Sequence, residues 1–202
     1  MTTGSPPRPL LAVNLPTLTW SDFDRHYPCY DPREQYGDWS GTILDLLQRY
    51  DIPAEDRIWA LSREGLLDAR LQRLCAVAFV RQTPLGDGRF VADLLTDERS
   101  RRALTVSESY AYGKASYRES VAARAAAWDA VISFNKNAVG AAARAVYWAS
   151  SENAAADASA DAARVATWGT SPGDVAVKVS WAAVMAAQVQ IAIRVITYHT
   201  AV

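Results

Sequence analysis

A chain of 202 residues with a formal charge of −1 and a pI near 6.1 has no global basic field that would draw it to nucleic acid or to an anionic membrane. Half of its residues are hydrophobic, enough for one domain that buries roughly 70% of its unfolded surface. Cys29 and Cys75 are too few for a disulfide framework. With no charged-then-apolar leader and no apolar run of roughly 18 residues, a cytoplasmic protein is expected.

Residues 1–39 read as an extended arm rich in proline and aromatics. Met1 to Pro9 holds too little apolar surface to order itself. Leu10 to Trp20, with Pro16 near its centre, suits an extended segment or a short edge strand. From Trp20 to Trp39 the chain concentrates aromatic rings and acids around His26 and Cys29. A zinc site would need four ligands in pairs, and a cysteine nucleophile would need a base and an orienting group. The other imidazole, His199, is far away in sequence. No catalytic, cofactor-binding or metal-binding residue is therefore assigned, although Asp22, Asp24, His26 and Glu34 are where an enzyme would be built. Aromatic side chains among acids suit lying against another surface, the chain's own helices before a partner's. If a partner is met here, Trp20, Asp22, Phe23, Asp24, Tyr27, Tyr30 and Tyr36 are the expected contacts.

Residues 40–115 read as a layer of short helices. Ile43, Leu44 and Leu47 share one helical face, and Asp51-Ile52-Pro53 closes that helix and opens the next, with Glu55 and Asp56 in its first turn and Ile58, Trp59 and Leu61 turned inward. Asp68 caps a helix over 69–81, ended by Thr83-Pro84. A further helix starts at Thr96-Asp97-Glu98 and stops at Gly113. Arg99-Ser100-Arg101-Arg102, beside Asp93, Asp97 and Glu98, reads as a solvated, internally paired face. Ser116-Tyr117-Arg118-Glu119 is a capping box that opens the last part of the chain.

Residues 116–202 are alanine-rich and helical, since alanine loses no side-chain entropy on entering a helix. The phrase Ala-Ala-Arg-x-x-x-Trp occurs at 122–128, 142–148 and 162–168, each copy twenty residues after the last. An unbroken helix would turn by about 200° over that interval and scatter the Trp residues, so the copies require separate helices. Helices are expected over 117–134, 138–149, 152–168 and 173–199, with junctions at Asn135-Lys136-Asn137, Ser150–Asn153 and Gly169–Asp174. Arg and Trp four apart can stack, and strips at Ala122/Ala126/Ala130, Ala154/Ala158/Ala162/Ala166 and Ala182/Ala186 let helices approach closely. Asp157 and Asp161 read as two surface acids flanking Arg164. The Trp residues either fill a packed scaffold or form an exposed ladder. The fold class is all-α: a helical array with an alanine-rich C-terminal half and an irregular aromatic N-terminal arm, residues 40–202 forming one structural domain.

Three phrases carry a family resemblance: Arg70-Leu71-Gln72-Arg73-Leu74-Cys75-Ala76-Val77-Ala78, Leu94–Leu104 with its Thr96-Asp97-Glu98-Arg99 core, and Tyr110-Ala111-Tyr112-Gly113-Lys114-Ala115-Ser116, followed by the alanine-rich tail. In that order they resemble a family of immunity proteins of bacterial polymorphic toxin systems, and similar blocks recur in planctomycete-type proteins. The resemblance covers about two thirds of the chain and omits the aromatic segment. It implies an all-α, non-enzymatic protein that neutralises a toxin by binding it, with no cofactor, no nucleic acid and no membrane. A subunit of a larger particle, such as a phage component that self-associates, is the alternative expectation.

Overall fold

A computed structural model describes residues 13–133, 138–151, 155–167 and 175–200. Residues 1–12, the junctions at 134–137, 152–154 and 168–174, and Trp168 with them lie outside the described residues. The fold is an all-α array. Among the described residues there are ten α-helices and a single two-stranded ribbon.

The ribbon pairs β1 (Leu18–Thr19) with β2 (Ser40–Gly41) in antiparallel register, Leu18 opposite Gly41 and Thr19 opposite Ser40. It closes the aromatic segment into a loop that carries α1 (Ser21–Asp24) and α2 (Pro32–Tyr36). Asp31 caps α2, its Oδ1 accepting from the Arg33 amide at 2.9 Å, with Pro32 supplying the preset φ of a first helical residue. The segment from Leu18 is not a free arm: Leu18, Trp20 and Phe23 are all buried in the core.

The short-helix layer follows as α3 (Ile43–Leu47), α4 (Ala54–Leu61), α5 (Ala69–Gln82), a 3-10 turn at Val91–Leu94, and α6 (Glu98–Ala111). Apart from α4, which starts after Pro53 without a side-chain cap, each α-helix start here has a carboxylate or hydroxyl to satisfy amides that no helix carbonyl can reach. Thr42 and Asp45 form a reciprocal capping box, and Asp68 Oδ1 accepts from the amides of Arg70 at 2.8 Å and Leu71 at 3.3 Å. Asp97 accepts from the Arg99 amide at 2.8 Å. Arg57, buried on α4, donates to the Leu47 carbonyl at 2.8 Å and so covers the carbonyl end of α3. The basic run is paired as its neighbours suggest, Arg99 with Asp97 at 2.7 Å and Arg101 with Glu98 at 2.9 Å. Helix α6 gives way at Gly113, whose φ of +67° suits a residue without Cβ.

The alanine-rich half folds as α7 (Tyr117–Ser133), α8 (Ala138–Ala149), α9 (Ala155–Thr167) and α10 (Val175–Thr200). The Ser116–Glu119 capping box is complete in both directions, Glu119 Oε2 accepting from Ser116 N at 2.7 Å and Ser116 Oγ accepting from Glu119 N at 3.2 Å. The first two repeat copies sit on α7 and α8, and the third lies on α9 as far as Thr167, its Trp168 being outside the described residues. The Arg–Trp stacking expected within a copy does not occur in the first two, whose side chains make other contacts. Arg144 turns to Asp161 on the next helix at 3.4 Å, and Trp128 stacks on Tyr147 with centroids 5.0 Å apart. Among the described residues the cation–π contacts fall outside the repeats, as with Arg73 over Tyr110 at 4.8 Å. A carboxylate reached from two helices outcompetes a surface indole because ion pairing there is partly desolvated.

Asp161 is accordingly no surface acid. It is buried between Arg144 and Arg164, the latter at 2.7 Å, while Asp157 is exposed. Of the small-residue strips, Ala158 and Ala162 are fully buried, but Ala182 and Ala186 face outward. Helix α10 instead buries Met185, Gln188, Val189, Ala192 and Ile196. Its span Trp181–Thr200 is long and apolar enough by composition to cross a membrane, which the sequence reading had excluded, and about a third of it, 33%, is buried against the other helices.

Two hydrophobic clusters result, and they cut across the order of the sequence. One joins the N-terminal segment, α3, α4, the Leu71/Leu74/Cys75/Phe79 face of α5 and α10. The other joins the Ala76/Val77/Val80 face of α5 with α6, α8 and α9. Helix α5 is shared because its apolar residues surround it, as befits a central helix.

His199, near the end of α10, is buried with its Nε2 3.4 Å from the Tyr112 hydroxyl. Burial first, and the charge of Arg70 second, hold its pKa below the ordinary 6.5. The unfolded chain therefore binds more protons than the folded one below about pH 6.5, so stability present above that pH is lost as the pH falls through the lowered value, with a slope of at most about 1.4 kcal/mol per pH unit. His26, depressed by its own burial and by Arg25 and Arg63, acts in the same direction. Urea unfolding at pH 7 and pH 5.5 should show this loss, and His199→Gln should reduce it while His26 keeps part of it.

Candidate functional site

The ribbon and its two short helices lay the aromatic segment against α3 and α4, and a cleft of about 240 Å³ remains between them. Its walls and floor are Trp20, Phe23, Tyr30, Tyr36 and Trp59, with Glu55 and Asp56 beside them. The local reason is chain geometry. Trp20 and Trp39 flank the ribbon and pack together with centroids 4.9 Å apart, and Trp20 also meets Phe23 at 5.7 Å and Tyr36 at 6.3 Å. The Trp20 indole donates to the Gly37 carbonyl at 2.7 Å, satisfying the one polar atom that ring buries.

The acidic side comes from the first turn of α4. Tyr30 donates to Asp56 Oδ2 at 2.6 Å, and its hydroxyl lies 3.4 Å from that of Tyr36. Burial first, and the bond to Asp56 second, push the Tyr30 pKa above the ordinary range, so it stays a neutral phenol. Glu55 accepts from the Trp181 indole of α10. Arg25 donates to the Glu64 carbonyl at 3.2 Å and passes so close to Gly65 that a Cβ there would lie 2.5 Å from its Nη2. That contact fastens the aromatic segment to the turn after α4.

The structure divides the seven expected contact residues. Tyr30 and Tyr36 line the cleft half-buried. Trp20 and Phe23 line it from beneath, but both are buried, 5% and 2% exposed, and so belong to the core rather than to an outer contact surface. Large rings flanked by short strands gain more by burial than by exposure. Asp22 accepts from the Thr19 amide at 2.7 Å, Asp24 pairs with Arg33 at 2.8 Å, and Tyr27 stands in solvent at φ +51°. These three lie outside the cleft. Trp59, Glu55 and Asp56 complete it, and sequence reading assigned them only to a helix start and a buried face.

Neither catalytic arrangement considered for this stretch is assembled. His26 Nε2 accepts from Arg25 Nε at 3.2 Å, and among the described residues no hydrogen bond joins it to Cys29. No group of three or more His, Cys, Asp or Glu residues able to hold a metal occurs among the described residues. Cys29 is exposed at the cleft, whereas Cys75 is buried in α5, where burial raises its thiol pKa. A water-soluble maleimide should therefore label Cys29 in the native protein and reach Cys75 only on unfolding. Labelling of both at equal rates under native conditions would contradict the packing of α5. No protein-family model, no curated protein and no solved structure matches the chain.

Proposed function

We propose that this protein is a non-enzymatic binding module that captures another protein, in the manner of an immunity protein occluding its toxin in the cytoplasm. The observation that carries the reading is the aromatic cleft. It is small, half-open, lined by five aromatic rings and fixed to the helices by hydrogen bonds at Trp20, Tyr30 and Glu55. Rigid aromatic pockets of this kind hold anchor residues of a partner with little entropy loss on binding. A near-neutral chain also gives no support to a nucleic-acid partner. The test is co-expression with a toxin encoded beside this chain. Growth should be restored and a stoichiometric complex should co-purify, with Trp59→Ala weakening the complex; a chain that neither restores growth nor forms a complex overturns the reading.

A second reading, a self-associating subunit of a larger particle, is favoured by a separate surface. Tyr117, Val121, Trp128 and Ile132 of α7 are exposed and fall within about 60° of one another around the helix. Apolar side chains along that face, interrupted by Arg124, suit burial against a neighbour. Light scattering of the purified chain separates the two readings. A large discrete oligomer that dissociates in Trp128→Glu supports the subunit, and a monomer or dimer leaves the occluding module ahead.

A further inference from the structure

The cleft is apolar beneath and acidic at one edge, and these two parts select different chemistry in what enters it. Trp20 and Phe23 are buried, Tyr30, Tyr36 and Trp59 are half-buried, and Asp56 and Glu55 become progressively more exposed. Among the described residues, no lysine, arginine or histidine lines the cleft. Tyr30 occupies Asp56 Oδ2 and Trp181 occupies Glu55 Oε1, while Oδ1 and Oε2 have no hydrogen-bond partner among the described residues. Two cations that lie over rings of the cleft are engaged elsewhere. Arg49 lies over Tyr36 at 5.9 Å but bonds Asp51 at 2.8 Å, and Arg63 lies over Trp59 at 4.9 Å while donating to the Trp59 carbonyl and to Ser62. Two carboxylates at an apolar rim, with no cation lining it among the described residues, leave a negative potential over the opening.

Size narrows the occupant further. A cavity of about 150 Å³ lined by apolar side chains takes benzene. By that scale, 240 Å³ admits a group of about ten non-hydrogen atoms, the size of one aromatic side chain. We infer that the cleft takes a single aromatic anchor side chain from the partner protein, flanked in the partner's sequence by a lysine or arginine that meets Glu55 and Asp56. The anchor fills the apolar part. The flanking cation answers the carboxylates. This inference rests on the reading of the chain as a binding module and specifies the chemistry of its partner.

The test uses the full chain and three blocked peptides, Ala-Phe-Lys-Ala, Ala-Phe-Glu-Ala and Ala-Ser-Lys-Ala. Binding is read from shifts of the indole N–H signals and from protection of Cys29 against alkylation. The Phe-Lys peptide should bind roughly three- to five-fold more tightly than the Phe-Glu peptide, the range expected of rim ion pairs, and the preference should shrink with added salt. It should fall toward unity in Asp56→Asn, whose amide oxygen still accepts from Tyr30 and so preserves the cleft. The Ser-Lys peptide should bind weakly. Equal binding of Phe-Lys and Phe-Glu, no detectable binding of either, or a preference unchanged in Asp56→Asn overturns the inference. Saturation by phenethylammonium at concentrations where the Phe-Lys peptide does not bind would assign the cleft to a free amine and overturn it equally. Partner capture that persists without any charge preference removes this inference alone, whereas a clear preference without toxin rescue removes the occluding role alone.

Discussion

Trp20→Ala should destabilise the protein by about 3–5 kcal/mol, the range for truncating a buried aromatic ring. Trp20 is 5% exposed, touches Phe23, Tyr36 and Trp39, and spends its indole N–H on the Gly37 carbonyl. Truncation removes the ring from the floor of the cleft and leaves that carbonyl without its donor. For a chain of this length the thermal midpoint should fall by roughly 6–20 °C. The contrast is Tyr27→Ala, which removes a ring 89% exposed and should change stability by no more than about 0.5 kcal/mol. Calorimetry on the two variants checks both. A Trp20→Ala protein as stable as the parent would mean that the aromatic segment does not pack as described, and the cleft would go with it.

Gln188→Leu should cost about 2–5 kcal/mol although it replaces a polar side chain in a core by an apolar one. Gln188 is fully buried on α10. Its amide nitrogen donates to Thr83 Oγ1 and to the Ser159 carbonyl, both at 3.0 Å, and its Oε1 accepts from the Ser159 hydroxyl. One side chain thus ties α10 to α9 and to the end of α5. Leucine would leave the Thr83 and Ser159 hydroxyls, each fully buried, without these partners at about 1–3 kcal/mol apiece. Removing all the polar partners together is different, because apolar groups of similar shape leave nothing unsatisfied. Gln188→Leu combined with Ser159→Ala and Thr83→Val should therefore recover a large part of the loss. Additive losses in the triple variant would show that packing volume rather than hydrogen bonding governs this site.

The node also shows where local sequence information stops. Gln188 lies with Gln190 in a mostly apolar stretch of α10, and nothing within several residues indicates that Ser159 and Thr83 come to meet it, at separations of 29 and 105 residues. The same holds for Asp161. Arg164, three positions on, is visible beside it in the sequence, where the acid reads as a surface residue, but Arg144 reaches it only because α8 and α9 pack side by side. In the cleft, Tyr30 and Tyr36 were legible as aromatic contact residues. Their partners Asp56 and Trp59 were legible only as parts of a helix, since their role depends on the ribbon that folds the aromatic segment back over α4.

By itself the sequence determined that the chain from residue 40 onward is a succession of helices, whereas α1 and α2 arose in a segment whose composition reads as extended. Alanine content, capping side chains at Asp68, Asp97 and Ser116, and the twenty-residue repeat act through neighbours within about four positions, so they are readable without the fold. Only the tertiary structure decided which face of each helix is buried. Ala182 and Ala186 could have lined a close helix contact as well as Ala158 and Ala162 do, and they face outward because α10 turns Met185, Gln188 and Val189 to the core instead. The fate of the aromatic segment was decided in the same way: rings that carry both apolar area and polar tips suit a core and an interface equally, and the two residue pairs of the ribbon between Leu18–Thr19 and Ser40–Gly41 placed Trp20 and Phe23 inside and left Tyr27 in water.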